Sequence, residues 1–460
     1  MTVTLVLPQH IADQLLEAVA IDVESAGVLL ARLVETDQGN LRLLGRDMHW
    51  VPDDTYLVRN AKELVIPSHG YIPALAAAES DNSVPIWLHT HPGGESSPRP
   101  SKYDEVVDQE LSDLFRLRSG SPLYGAVVVA RTGGHFCFAG HIESENRTAD
   151  IDRMWATGRR FRLEQNWLHE STPPSDQFDR HIRAFGGRIQ EVLADMTVAI
   201  VGCGGTGSAV IEQLVRLGVR NFILLDPKTL TKSNLTRVYG SFPEDIGRPK
   251  VELVAAHIGR IAPDAALITS QSKITRESTA RMLIDADVVF GCTDDNAGRL
   301  VLSRLATYLL TPVIDCGVLL SSDDRGKLVG IDGRVTLLAP GAACLVCRNR
   351  IDLQRAAAET LPPEEHLRLA DEGYAPALAG VEPAVVAFTT QVAAAAVSEL
   401  LERLIHYGPE PAPTEMLLRT HDREVSFNDQ YPRRGHYCHP DEGKLGIGDT
   451  APFLEQTWQE

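Results

Sequence analysis

The sequence has no excess of positive charge: 44 Lys and Arg stand against 62 Asp and Glu, a formal net charge of −18. This argues against a nucleic-acid coat or an anionic-membrane binder, because both need basic groups to displace counterions. Cysteine is sparse and odd in number, seven in 460 residues. No run of charged, apolar and small residues opens the chain as an export signal would. The expectation is a cytoplasmic, reducing compartment, where clustered cysteines read better as metal ligands than as disulfides. No apolar run meets the ~20 residues of a spanning helix. The most apolar stretch, Pro383–Leu401, is Ala-rich and carries Thr389, Thr390, Gln391 and Glu399, so it reads as a buried helix. Internal repeats and long low-complexity tracts are missing too.

What is present is ordinary globular composition, 43% hydrophobic and 23% charged. At roughly 150 residues per domain it predicts two or three domains. Residues 1–145 read as an α+β domain, with a helix from Pro8 to Ala18 and another near Asp104–Leu117. Strands are expected at Gly27–Val34, Leu41–Met48, Val84–His91, Ala126–Ala130 and His135–Ala139. Residues 146–176, with Ser-Thr-Pro-Pro at 171–174, read as a helical or irregular linker. From 177 to 440, short apolar runs at Val198–Val201, Phe222–Leu225, Val288–Gly291 and Val313–Asp315 alternate with helical patterns. That is the rhythm of a doubly wound parallel α/β sheet. Residues 441–460 read as a tail.

The first chemical constellation is His89-Thr90-His91-Pro92 at the end of an apolar run. Residues i and i+2 of a strand share a face, so both imidazoles can meet one ion. Ser101 and Asp104 follow after a Gly/Pro-rich loop. Two His and one carboxylate leave a fourth tetrahedral position for water, as catalytic zinc requires. Glu24, far upstream, could take that water's proton. The competing reading of Ser101-x-x-Asp104 is a helix capping box. Together, His89-x-His91-Pro92, Ser101-x-x-Asp104 and Glu24-x-x-Gly27 resemble the JAB/MPN (JAMM) metalloprotease family over about residues 1–145. The resemblance implies zinc on His89, His91 and Asp104, Glu24 as general acid/base and Ser101 at the oxyanion. It also implies cleavage of peptide or isopeptide bonds after ubiquitin-like tails. The loop Gly93–Pro100 runs longer than the family's commonest form.

The second constellation is Gly202-Cys203-Gly204-Gly205-Thr206-Gly207 between a strand and a helix, with Asp226 ending the next apolar run. This fits any dinucleotide-binding Rossmann unit, an NAD-dependent oxidoreductase included. Ser233-Asn234-Leu235-Thr236-Arg237, Gly247-Arg248-Pro249-Lys250 and Cys292-Thr293-Asp294-Asp295-Asn296 add two cations and an acid, which suit magnesium triphosphate better than nicotinamide. With Phe178-Asp179-Arg180 and Gln190, they resemble the ThiF/MoeB/HesA group of ubiquitin-activating-like adenylyltransferases over about residues 177–440. The resemblance implies ATP and Mg2+, with Gly202, Gly204, Gly205 and Gly207 at the nucleotide and Asp226 on the ribose. Asn234, Arg237 and Lys250 would contact phosphates, Asp294 would hold magnesium, and Arg180 would complete a neighbouring subunit's site in a homodimer. Lys228 departs from relatives, which often carry a second acid there.

A third feature is Cys344-x-x-Cys347, half of a structural zinc site by spacing. Gly435-His436-Tyr437-Cys438-His439 offers the rest, Cys438 and one His such as His436. The alternative is a pair of core thiols. The whole reads as a bifunctional enzyme that adenylates a ubiquitin-like C-terminal carboxylate and cleaves after such a tail. The partners are a ubiquitin-like or sulfur-carrier protein with a Gly-rich tail and, as a further candidate, a ubiquitin-conjugating-like protein. One alternative is an adenylyltransferase for a sulfur carrier or small peptide in cofactor or natural-product synthesis. Another is a non-catalytic scaffold that binds ubiquitin-like tails. No Cys lies between Cys347 and Cys438, so the acyl-adenylate is the expected product, with Cys316 read as buried and structural.

Overall fold

The computed structural model describes residues 1–93, 96–133, 135–169, 175–362, 364, 365, 368 and 384–458. The chain divides into two compact units. One comprises Met1–Thr157, Phe161–Ser171 and Gly446–Asp449; the other comprises Gly158–Arg160, Thr172–Leu445 and Thr450–Glu460.

The first unit opens with β1 (Val3–Pro8), α1 (Gln9–Ala18), β2 (Ala26–Glu35), β3 (Leu41–Trp50) and a hairpin of β4 (Val58–Arg59) and β5 (Leu64–Val65). It continues with α2 (Ile72–Asp81), β6 (Val84–His91), α3 (Lys102–Ser119), β7 (Tyr124–Thr132) and β8 (His135–Glu143). Then come β9 (Thr148–Asp150), β10 (Arg153–Thr157) and β11 (Arg162–Gln165). Nine of these strands form one sheet in the order β11-β10-β1-β3-β2-β6-β7-β8-β9. Strand side chains alternate between faces, and here both faces are covered. Leu29, Ile86, Leu88 and Val127 pack with Ile11 and Leu15 of α1. Val28, Leu30, Trp87 and Tyr124 pack with Leu75 of α2 and with Leu111 and Phe115 of α3.

The expected linker needs correcting here. Residues 146–176 are no mere connector: β9, β10 and β11 lie in them and join the sheet, with β10 parallel to β1. Met154 and Trp155 are buried, but Asp150, Asp152 and Arg153 beside them hide the short apolar run from a pattern search. Strand β1 was also unforeseen, because all six residues are buried and its partners β3 and β10 lie far along the chain. The Ser-Thr-Pro-Pro stretch at 171–174 lies outside the described residues.

The second unit runs α4 (Asp179–Phe185), α5 (Gly187–Asp195), β12 (Thr197–Val201), α6 (Gly205–Leu217), β13 (Asn221–Leu225), α7 (Lys250–Ile261) and β14 (Ala266–Ser270). Next are α8 (Glu277–Arg281), β15 (Val288–Gly291), α9 (Asn296–Tyr308), β16 (Val313–Ser322) and β17 (Leu328–Leu338). Helices at Leu353–Glu359 and Val386–Ile405 precede β18 (Glu415–Arg419) and β19 (Glu424–Asn428). The sheet order is β14-β13-β12-β15-β16-β17-β18-β19. The first five strands are parallel and the last three pair antiparallel, so the expected parallel sheet is its first part only. Strand order reverses beside β12, which opens a crevice at the carboxyl ends of β12 and β15, where doubly wound folds bind ligands.

Residues 441–460 also differ from the expected tail. Phe453 and Leu454 are buried, the Phe453 ring stacks on Trp458 at 5.7 Å, and the Arg281 guanidinium lies 4.3 Å from the Phe453 ring centre. Among the described residues, no helix is long and apolar enough to cross a membrane.

The first unit's core makes a direct prediction. Phe115 is fully buried and meets Trp87 and Tyr124 edge-on at 6.1 and 5.4 Å. Phe115→Ala should cost about 3–5 kcal/mol of that unit's stability. Urea unfolding followed by tryptophan fluorescence reads it, and a loss under about 1 kcal/mol would contradict this packing.

Candidate functional site

Strand β6 ends in His89-Thr90-His91, and α3 begins at Lys102 with Ser101 as its N-cap. The capping box is formed: the Ser101 amide donates to Asp104 Oδ2 at 2.6 Å, and the Asp104 amide donates to Ser101 Oγ at 3.2 Å. The cap does not exclude the cluster, because the same carboxylate faces both imidazoles. His89 Nε2 lies 3.6 Å from Asp104 Oδ1 and His91 Nε2 lies 3.7 Å from Asp104 Oδ2. One ligand atom from each residue falls within 4.8 Å of the others. His91 Nδ1 lies 2.7 Å from the Ser97 carbonyl, a bond that puts the proton on Nδ1 and leaves Nε2 free to ligate.

The donor set fits zinc on a further observation: His89 Nε2 is buried without a hydrogen-bond partner. Burial pushes the His89 imidazole down to about 4, so it stays neutral, the form a metal takes. For Asp104, burial alone would raise the carboxyl, but His91, His89 and Ser101 together hold it below the usual carboxylate range. Zinc at such a site supplies Lewis acidity. Glu24 lies two residues before β2, whose register pairs Ala26 with His89, and the Thr90 amide donates to the Ser25 carbonyl at 2.9 Å. Glu24 feels the charges of both His91 and Asp104. Burial raises its carboxyl, with Asp104 adding to the rise and His91 opposing it. A half-buried acid so shifted is suited to carrying a proton.

In the second unit the glycine turn follows β12. Gly202 has φ of +98°, and a Cβ there would lie 2.6 Å from the Cys292 carbonyl oxygen. A Cβ on Gly207 would lie 1.8 Å from the Gly202 carbonyl oxygen, so both positions require glycine. Gly204 is the N-cap of α6; it supplies no side-chain cap and opens onto free space. The first amides of α6 are thereby left for an anion. Around this turn stand Asp226, Lys250, Arg237 and Asp294. Asp226 accepts from the Cys203 and Lys228 amides, both at 2.8 Å, and buried Lys250 Nζ lies 3.9 Å from it. Arg237 lies across the first turn of α6, with its Cδ 3.0 Å from where a Gly205 Cβ would be. Lys228 Nζ is 3.4 Å from Asp294 Oδ1 on the surface.

Two further expected residues are placed as follows. Buried Asn234 spends its side-chain oxygen on the Thr231 amide at 3.1 Å, closing the turn that leads to Arg237. Arg180 is exposed on α4, and among the described residues no hydrogen bond or ion pair joins it to this group. Gln190 is buried and donates to the Leu217 carbonyl at 2.9 Å, closing the far end of α6. Sequence reasoning missed Asp295, which caps α9 by accepting from the Gly298 amide; an acid three residues before Gly298 was the available signal. It also missed Asp315, fully buried between Arg299 and Arg334 at the end of the parallel part of β16.

The thiol cluster gathers as expected, and it selects its imidazole. Cys344, Cys347, Cys438 and His436 bring their ligand atoms within 4.8 Å of one another, with His436 Nδ1 at 3.6 Å from Cys344 Sγ and 3.3 Å from Cys438 Sγ. His439 instead turns its Nδ1 to the Asp441 amide, capping a short helical turn. A hydrogen bond from Cys438 pulls the Cys344 thiol below the usual range, against burial. Three thiols and an imidazole suit tetrahedral structural zinc.

The second unit is thus a doubly wound α/β domain with an uncapped helix start after its glycine turn and cations nearby. The ThiF family model matches residues 178–435, more than half of the chain, and the chain belongs to that family. The match leaves the first unit outside it. Molybdopterin-synthase adenylyltransferase of Escherichia coli is 30% identical over 172 residues, 37% of this chain and 65% of that protein. Sulfur carrier protein ThiS adenylyltransferase of the same species is 32% identical over 151 residues, 33% and 56% of the two chains. The SAMP-activating enzyme E1 of Haloferax volcanii is 26% identical over 174 residues, 37% and 61%. The chain spans about three fifths of the length of these relatives. Among solved structures, E. coli MccB with ATP aligns over 58% of this chain and 75% of that one, at 15% identity and a TM-score of 0.44.

The two donor sets predict two separable metals. Atomic absorption on purified wild type should find two zinc ions per chain, with His91→Ala losing one and Cys347→Ser the other. One zinc in wild type, abolished by Cys347→Ser alone, would contradict the His/Asp site.

Proposed function

We propose that the second unit activates a C-terminal carboxylate with ATP and that the first unit hydrolyses a peptide or isopeptide bond after the same kind of tail. The observation that carries the first half is the uncapped start of α6 ringed by Lys250, Arg237 and Asp294. A triphosphate laid on those amides would meet Lys250 and Arg237 on its oxygens. Asp294 would hold the accompanying magnesium ion, which supplies charge neutralisation. A carboxylate oxygen attacks the α-phosphorus, the bond to the bridging oxygen breaks, and pyrophosphate leaves an acyl-adenylate. The cations stabilise charge that grows in that step. The named adenylyltransferases among the relatives support this reading, and they point to a ubiquitin-like or sulfur-carrier protein as the donor of the carboxylate.

For the first half of the chain, the JAB/MPN-like reading rests on the gathered His89, His91 and Asp104 with Glu24 beside them. Glu24 would take a proton from water and return it to the departing amine, while exposed Ser101, which caps the helix carrying Asp104, would face the developing oxyanion. Water adds across the amide, giving a free tail carboxylate and an amine. The product of this reaction is the substrate class of the other.

ATP–pyrophosphate exchange with a panel of Gly-ended carrier proteins and peptides tests the activator. Exchange should require a carrier, and Lys250→Ala should lower it by about 100-fold. Exchange with peptides alone would favour a small-peptide substrate, and none at all would leave a binding scaffold. For the hydrolase, Glu24→Gln should lower cleavage of a tail fusion about 100-fold or more while keeping its zinc. Full cleavage in that variant would refute the role.

Arg180 gives a third test, since an exposed arginine that completes a neighbour's site demands a two-fold dimer. Arg180→Ala and Asp294→Ala should each be inactive, yet mixing them should restore part of the activity through heterodimers with one intact site. No recovery would contradict the role in trans.

A further inference from the structure

The inward side of α3 carries two lanes. Val107, Leu111 and Phe115 form an apolar lane in the core. Beside it, at steps of four, runs a polar lane of Asp104, Asp108, Ser112 and Arg116, and each of these meets a polar partner on the sheet. Asp108 Oδ1 accepts from the Tyr124 hydroxyl of β7 at 2.6 Å, and Asp108 Oδ2 lies 3.2 Å from His141 Nε2 of β8. Ser112 donates to Glu143 Oε1 at 2.7 Å, and Arg116 Nη2 lies 4.0 Å from the same oxygen. Register puts these partners on one face: Tyr124 pairs with Glu143, Ala126 with His141, and Trp87 with Ala126. His89 and His91 follow Trp87 at two-residue steps on that face.

The apolar lane alone does not set where Asp104 ends up. Leu111 and Phe115 could slide or roll against the sheet with small loss, because dispersion contacts have little direction. A one-residue slip turns a helix by about 100° and shifts it by ~1.5 Å, enough to carry Asp104 away from the imidazoles. A carboxylate held by a buried phenol and an imidazole is directional and one turn from Asp104. Tyr124 is fully buried and Asp108 half-buried, so leaving either partner unpaired is costly.

We propose that Asp108, locked by Tyr124 and His141, is the positioning residue of the His89–His91–Asp104 site: it fixes the rotation and height of α3 so that Asp104 reaches the metal. Asp108 touches neither metal nor substrate in this role. The inference rests on the metal-site reading of these three residues and is independent of the peptidase reading.

The test is cobalt and zinc binding by the full chain, with Asp108→Asn, Tyr124→Phe and Ser112→Ala compared with wild type. The thiol cluster of Cys344, Cys347, Cys438 and His436 serves as an internal control, since its cobalt charge-transfer bands are distinct from those of a His/Asp site. Asp108→Asn and Tyr124→Phe should weaken zinc at the His/Asp site about 10- to 100-fold. They should shift the visible bands of cobalt bound there and leave the thiolate bands unchanged. Ser112→Ala, two turns from Asp104, should change affinity less than threefold even where its melting temperature falls as far. A merely stabilising network predicts instead that affinity follows melting temperature across all three variants, and that result overturns the proposal. Unchanged affinity and spectra in folded Asp108→Asn and Tyr124→Phe overturn it too. If Asp108→Asn does not fold, Tyr124→Phe decides by the same two readings. If wild type binds cobalt only at the thiol cluster, the metal-site reading fails first and this proposal with it.

Discussion

A helix that starts where a strand ends must find acceptors for its first amides, and the chemistry of both units depends on how that demand is met. At α3, Ser101 and Asp104 meet it reciprocally, and the carboxylate that caps the helix is the one that faces His89 and His91. At α9, Asp295 meets it, leaving the neighbouring Asp294 exposed beside Lys228. At α6 no side chain meets it, because Gly204 has none to offer. The same requirement therefore yields a carboxylate facing two imidazoles in one place, a freed acid in the second and open helix amides in the third.

Sequence legibility follows the same line. His89-x-His91 could be read because a two-residue strand step is local, and Cys344-x-x-Cys347 because one turn holds both thiols. The glycine turn was legible because steric demand at Gly202 and Gly207 leaves no other residue type. Long-range facts were not. Nothing near Met154 announces that β10 pairs with β1, and residue type alone does not say which of His436 and His439 turns inward. That choice is made by the Asp441 amide, which takes His439. Asp104 and Asp108 lie one turn apart in plain view, yet the second one's meaning depends on Tyr124 and His141 arriving from strands later in the chain.

Charge placement reconciles an acidic chain with the anionic nucleotide proposed for it. The net charge is −18, but the cations that matter are few and constrained: Lys250 is buried against Asp226, and Arg237 is laid over α6. Asp315, held between Arg299 and Arg334, adds a buried group with more positive than negative charge near the same strand ends. Such fixed charges act where little solvent screens them, so composition alone is a poor guide to the ligand.

The central claim is that one unit makes the carboxylate that the other consumes, and pyrophosphate release from two forms of one carrier tests it most directly. One form ends at its glycine tail; the other carries extra residues beyond it. With magnesium ATP, wild type should release pyrophosphate from both, whereas Glu24→Gln should do so from the trimmed form alone. Equal release from the extended form by wild type and Glu24→Gln, or release from the trimmed form only by both, would contradict the account.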